Sequence, residues 1–194
     1  MTEKEKMLRG MLYDADDSTL CADRVRAKEL CHAYNQLRPS DAAGMRELLQ
    51  RLLGETGETF CVTAPFWCDY GYNIRLGEHF YANHNLVILD CAAVTFGEHV
   101  FVAPNCGFYT AGHPIDAECR ERGLEYAYPI TVGDHVWIGG GVQGMPGVTI
   151  GSNVVIGGGS VVVKDIPSDS VAVGNPCRVI RPITEADKQT CWDR

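Results

Sequence analysis

From Val132 onward the apolar positions return every six residues, through Val132, Ile138, Gly144, Ile150, Ile156 and Val162. A second series runs four residues behind, through Val136, Val142, Val148, Val154, Ser160 and Ile166. Gly stands directly after the first series at Gly133, Gly139, Gly151 and Gly157. A helix brings its apolar face round every 3.6 residues and a flat strand every 2, so neither sustains a period of six. Short strands joined by tight turns, three to a coil, do sustain it, and they predict a stacked parallel β-helix. Each repeated residue then points inward and rests on its equivalents in the coils above and below. The Gly that follows is expected to take a corner dihedral that a side chain resists.

Upstream the beat loosens. Leu76-Gly77, the run from Phe96-Gly97 through Val100 and Val102, and the Ala103–Cys106 stretch repeat it less cleanly. From Ile88 to Phe96 the spacing is eight, which interrupts the register. A longer interruption runs from about Gly112 to Tyr128 and is polar, with Asp116, Glu118, Arg120, Glu121, Arg122 and Glu125. A solenoid that breaks its period for a long loop usually does so on a functional face. After Ile166-Pro167 the repeat fades, and the Val171–Pro176 stretch completes the last coil.

The first 55 or so residues lack the beat and read as helical. Val25, Leu30, Ala33 and Tyr34 fall near helical spacing. Ser40 and Asp41 can cap a second helix through Met45, Leu48, Leu49, Leu52 and Leu53, which Gly54 ends, with Pro39 separating the two. The expected organisation is a helical cap over 1–57, a β-helix over 58–184 with a loop at 112–129, and a tail over 185–194. The cap is expected to cover an open end of the solenoid.

Composition narrows the function. The 194 residues carry a formal net charge of -8, which argues against a general polyanion-binding surface and so against nucleic acid as a partner. No apolar run approaches the roughly 20 residues of a membrane helix, and the charged start, Met1 to Met7, has no apolar signal core, so a cytosolic protein is expected. The nine cysteines are odd in number and include no Cys-x-x-Cys pair, so they read as reduced, small apolar residues, Cys106 at an inward beat position above all.

Several motifs together carry a resemblance. They are Gly133 with Val136-Trp137-Ile-Gly-Gly140, Pro146-Gly-Val-Thr-Ile-Gly151, Val163-Lys-Asp-Ile-Pro167 and Gly174-Asn-Pro-Cys-Arg178. The chain resembles the hexapeptide-repeat acyltransferases, and more narrowly the maltose and galactoside O-acetyltransferases. The Glu3–Met7, Leu12–Ala15 and Cys68–Ile74 segments extend the likeness over nearly the whole chain, closest to the maltose enzymes. The resemblance implies a left-handed β-helix, against the usual right-handed crossover. It also implies a homotrimer and acetyl-CoA as co-substrate, held between subunits, with no metal.

Resemblance makes His113, at the start of the long loop, the catalytic residue. A sugar hydroxyl is a poor nucleophile at neutral pH, and a neutral imidazole can take its proton as it attacks a thioester. Asn83 matches a residue that stabilises the oxyanion; the alternative is a corner Asn in a left-handed conformation. Asp69, Asp90, Glu125 and Asp14 match positions on the acceptor side, where carboxylates accept hydrogen bonds from sugar hydroxyls. Trp137, Gly140, Gly158, Val163, Lys164, Arg178 and Arg181 match the cofactor side. There glycines let an extended pantetheine chain lie along the coil, and basic residues, with Lys188, neutralise the phosphates.

Two departures stand out. Gly144 replaces an inward Ile, which leaves a void or a place for Met145. Cys91 stands where galactoside enzymes carry a second Asp after Asp90, which favours glucosyl acceptors over galactosides. Two rival readings share the fold. A γ-type carbonic anhydrase needs three histidines converging on zinc, but His79, His99 and His135 sit at similar places on their coils and read as surface patterning. The other rival is a non-catalytic scaffold trimer.

Overall fold

Inward residues of like shape at a constant interval allow one coil to hydrogen-bond directly onto the next. The computed structural model describes residues 1–189, wound into a parallel β-solenoid of about six coils. Its strands form three sheets, one per side of each coil. The first side stacks Phe66–Cys68, Leu86–Leu89, Gly107–Tyr109, Gln143–Gly144 and Val161–Val162. The second stacks Glu55–Thr56, Ile74–Leu76, Val94–Phe96, Ile130–Val132 and Thr149–Ile150. The third runs Phe60–Val62, Phe80–Ala82, Phe101–Val102, Trp137–Ile138, Val154–Ile156 and Ser170–Val173. Arg178–Pro182 then pairs antiparallel with Ser170–Val173 and closes the last edge.

The register places the six-residue series in columns. Leu76, Phe96, Val132 and Ile150 form one, and Val62, Ala82, Val102, Ile138, Ile156 and Ala172 another. All ten are buried. Strands buried in this way on their inner side draw on the hydrophobic effect at roughly 25 cal/mol per Å² of apolar surface.

The glycines of the repeat have a different cause from the one expected. Along this corner the left-handed residues are His79, His99, His135 and Asn153, each two positions after the Gly, with φ between 54° and 57°. The Gly itself is needed for close approach: a Cβ at Gly77 would lie 2.4 Å from the Gly97 carbonyl oxygen. At the same corner His79 stacks on His99 (centroids 4.5 Å apart) and His99 on His135 (5.1 Å). The three imidazoles form a ladder rather than converging on a point.

Gly144 also departs from expectation. Its column partner Phe108 fills the space, and a Cβ at Gly144 would sit 2.9 Å from Phe108 Cδ1. Phe108 packs edge-on against Phe96 (4.9 Å), and Phe96 against Phe80 (5.0 Å). Neither a void nor Met145 is involved.

The cap helices are Ser18–Gln36, with Asp17 at the N-cap, and Ala42–Leu52, with Asp41 accepting from the Gly44 amide at 3.0 Å. The second ends two residues before Gly54. Ala27, Cys31, Tyr34, Leu49, Leu52 and Leu53 pack against Val62, Phe66 and Cys68 of the first coil, so the cap closes that end. A short helix, Glu3–Leu8, precedes them with a Thr2–Glu5 capping box. It joins the first cap helix to the flank of the solenoid: Lys4 pairs with Asp23 at 2.7 Å, and Met7, Tyr13 and Leu20 cluster with Tyr70, Cys91, Ala92 and Ala127.

Cys31, Cys68, Cys91, Cys106 and Cys177 are buried, and the Cys106 thiol donates to the Gly139 carbonyl at 3.2 Å. Cys61 is exposed, while Cys21 and Cys119 are half-buried, against the apolar reading; Cys191 lies outside the described residues. No helix among the described residues is long and apolar enough to cross a membrane.

Replacing Gly144 with Ile should lower stability by about 1–3 kcal/mol through overpacking against Phe108. Phe108→Val in the same chain should recover part of that loss. Thermal unfolding of the single and double variants checks both.

Candidate active site

The long interruption is a hairpin laid over the flank. Ala111–Gly112 leads into it, and Leu124–Ala127 returns antiparallel to Ala111–Gly112 on one side and to Tyr13–Asp14 on the other. Between them Asp116 caps a short helix, Ala117–Glu121, and the Arg120 guanidinium donates to the carbonyls of Pro114 (3.0 Å) and Ile115 (2.9 Å). His113 is thereby held at the mouth of the hairpin. Its Nδ1 lies 3.2 Å from the Leu124 carbonyl oxygen. A carbonyl can only accept, so Nδ1 carries the proton and Nε2 carries the lone pair. Nε2 is 3.7 Å from Glu125 Oε1, and the Tyr13 hydroxyl donates to Glu125 Oε2 at 2.6 Å.

The eight-residue step from Ile88 to Phe96 supplies the rest of this cluster. Its extra residues form the turn that contains Asp90 and Cys91. Asp90 is fully buried, so the structure does not present it to an acceptor. Its carboxylate accepts from the amides of Asp69 (3.1 Å), Tyr70 (2.8 Å) and Asn73 (3.3 Å), which fixes the turn bearing Asp69. Burial pushes its pKa from the ordinary 3.8 up to about 6, against the lowering effect of those amides. Asp69 is half-buried, and desolvation raises its pKa too. The Cys91 thiol points at Asp69 Oδ2, 3.6 Å away. Burial raises the Cys91 pKa, which keeps it a thiol rather than a nucleophilic thiolate. Asp14 is exposed beside Tyr13, its Oδ1 accepting from the Asp16 amide at 2.9 Å.

A second group lies on the third side. Asn83 is half-buried in a groove of about 420 Å³ lined by Tyr81, Phe101, Val102, Ala103 and Trp137. The outward residues form an aromatic stripe, with Tyr81 36%, Phe101 49% and Trp137 57% exposed. Asn83 is not a left-handed corner residue; Asn85 and Asn105 are, and the Asn85 amide nitrogen donates to Asn105 Oδ1 at 2.9 Å. Beyond Trp137, Gly140 and Gly158 sit one above the other and are exposed, so no Cβ stands on that corner; one at Gly158 would lie 3.1 Å from the Gly140 carbonyl oxygen. Val163, Lys164 and Arg178 are exposed nearby in the last coils. Arg181 differs from expectation: its guanidinium forms a two-pronged pair with Asp187 at 2.8 and 2.9 Å. Lys188 likewise pairs with Glu185 at 2.8 Å.

Within one chain, then, His113, Glu125, Asp69 and Asp14 gather on the flank, and Asn83 gathers with Trp137 on the third side. Tyr13, Tyr81 and Phe101 belong to these groups and were missed. Tyr81 and Phe101 each precede an inward residue in the loosened beat, as Trp137 does in the clean one, which marks them as outward-facing aromatics.

The stacked hexapeptide coils and the helical cap are the parts of the chain that match known proteins. Residues 6–57 match the maltose acetyltransferase hexapeptide capping motif, and residues 129–164 match the bacterial transferase hexapeptide model of six repeats. YJL218W of Saccharomyces cerevisiae, named as an acetyltransferase, is 56% identical over 96% of this chain and 95% of its own. A maltose O-acetyltransferase from Clostridium difficile 630 superposes with a TM-score of 0.94 at 50% identity, over 95% of this chain and 99% of its own. A galactoside acetyltransferase solved with coenzyme A gives 0.94 at 44% identity, over 97% and 94%. The chain belongs to the maltose and galactoside O-acetyltransferase family and is an acetyltransferase of that type.

Asp90 makes stability depend on pH. Its pKa is raised on folding, so the folded state holds the proton more tightly than the unfolded one. The contribution is present below about pH 4 and is lost as pH rises through about 6, on the order of 3 kcal/mol. Asp90→Ala leaves three amides without their acceptor and should be less stable throughout, but its stability should fall less between pH 4 and 6, the remaining fall coming from Asp69. Melting temperature against pH for the two proteins reads the difference.

Proposed function

We propose that this protein transfers acetyl directly from acetyl-CoA to a hydroxyl of a glucose- or maltose-like sugar, with His113 as general base. The observation that supports it best is the His113 geometry. Nδ1 is tied to the Leu124 carbonyl, so Nε2 is left as the acceptor of a proton. The acceptor hydroxyl gives its proton to Nε2 as its oxygen bonds to the thioester carbonyl carbon. The carbon–sulfur bond then breaks, and the proton passes to the departing thiolate. Asn83 supplies an amide donor for the oxyanion. Asp14 and Asp69 suit an acceptor rich in hydroxyls.

The acetyl donor fits the third side. Trp137 and the bare corner at Gly140 and Gly158 accommodate an extended pantetheine arm, and Val163 borders it. Lys164 and Arg178 are exposed cations for its phosphates, and Arg181 serves only if Asp187 releases it.

The distribution of polarity over the three sides supports a homotrimer. The second side turns outward Glu55, Arg75, Thr95, Thr131 and Thr149. The third turns outward Cys61, Tyr81, Phe101, Trp137, Val155 and Val171, and the first Trp67, Val87, Gly107, Gln143 and Val161, with Gln143 its one polar side chain. Two unlike apolar sides that meet at one edge join heterologously, and a rotation that closes gives a ring. Three copies close around a triangular cross-section, which brings the flank of one subunit towards the Asn83 groove of its neighbour. Buried Cys91 contributes no carboxylate to the acceptor side, which favours glucosyl over galactosyl acceptors.

The test is release of CoA thiol from acetyl-CoA with glucose, maltose, a galactoside, an amine or no acceptor. Sugar-dependent release is expected, and it should fall at least about 100-fold in kcat for His113→Ala with CoA affinity nearly unchanged. A His113→Ala enzyme that keeps most of its rate sinks the base. Sedimentation should give three chains per particle, and Phe101→Asp should shift it towards the single chain.

A further inference from the structure

The N-terminal segment does more than brace the flank. Tyr13 is fully buried, and it stands directly across the strand pair from Glu125. Its hydroxyl reaches one glutamate oxygen at 2.6 Å, while the other oxygen lies 3.7 Å from His113 Nε2. Desolvation drives the Tyr13 pKa far above the ordinary value, so it remains a donor at every working pH. One oxygen of Glu125 is therefore committed to Tyr13, which turns the other towards the imidazole.

On the reading of His113 as general base, we infer that Glu125 is its electrostatic partner and that Tyr13 is the positioning residue that aims Glu125. The Leu124 carbonyl holds the Nδ1 proton, so the neutral ring offers its Nε2 lone pair to the acceptor hydroxyl, and the 3.7 Å gap to Glu125 leaves it accessible. When the hydroxyl oxygen bonds to the acyl carbon, its proton moves to Nε2 and the ring becomes a cation. The carboxylate beside it then stabilises a charge that exists only from the transition state onward, which raises kcat rather than tightening ground-state binding. The proton then leaves Nε2 for the thiolate sulfur. Tyr13 contributes by immobility. Packed among Met7, Tyr70, Cys91 and Ala127, it cannot swing away, so the carboxylate cannot rotate out towards solvent.

The experiment is a double-mutant cycle on the full-length protein, with kcat and acceptor KM measured for the acceptor that gives the fastest thiol release. Glu125→Gln should lower kcat by about 10- to 100-fold and change acceptor KM by less than about threefold. Tyr13→Phe, which keeps the ring in its packing, should lower kcat by about 3- to 10-fold, and by less than about twofold when Glu125 is already Gln. Melting temperatures of all variants separate misfolding from loss of aim. A Glu125→Gln enzyme that raises KM with kcat intact makes Glu125 an acceptor ligand and overturns the pairing. Losses from the two substitutions that simply multiply overturn the role of Tyr13. A fully active His113→Ala enzyme overturns the general base itself. An inactive one beside either of the preceding results overturns only this inference.

Discussion

Each coil of this protein must set its side chains directly beneath those of the next, because parallel strands bond in register along the whole stack. That constraint governs the sequence more tightly than any single contact. A residue that projects inward meets the same position one coil up and one coil down, so volume must be shared along a column. The Gly144–Phe108 pair illustrates it: a large ring in one coil is matched by the absence of a side chain in the next. The same close stacking forbids a Cβ at Gly77 and passes the left-handed corner two residues along, to His79. It also leaves two open ends, covered by apolar helices at one and by a reversed strand at the other.

A stack this regular has little freedom to build a site, since every coil repeats the last. The candidate site arises where the period fails. The eight-residue step after Ile88 makes room for Asp90, which spends its carboxylate on three amides and so fixes Asp69. The hairpin after Gly112 lifts His113 off the surface and brings Glu125 back beside it. The rigid coils on either side supply the precision that a loop alone lacks.

The solenoid was legible because its period has no competing explanation, whereas His113 was singled out by family resemblance, at the start of the loop that breaks the period. Other features were hidden for identifiable reasons. Asp90 and Asp69 look alike in sequence, yet one is fully buried and the other half-buried, and only the coil geometry separates them. Tyr13 lies 112 residues from Glu125 along the chain, so no local pattern could join them. Gly144 read as a defect because its compensation sits in another coil, at Phe108. The bond between Arg181 and Asp187 forms across a turn beyond the last repeat, where periodicity no longer informs.

Charge separates the two substrates on the proposed reading. Asp14, Asp69, Asp90 and Glu125 concentrate acids around His113, while Lys164 and Arg178 lie exposed in the last coils. A nucleotide donor bearing several phosphates is repelled by the first region and drawn to the second. A neutral sugar feels neither field and is sorted by hydrogen bonding alone. At physiological ionic strength such fields reach only about 8 Å, so they act at the site and not across the molecule. That local sorting is compatible with a net charge of -8, which would exclude a polyanion only if the charge were spread evenly. On that reading the donor's phosphates belong with the exposed cations of the last coils, away from the acids beside His113.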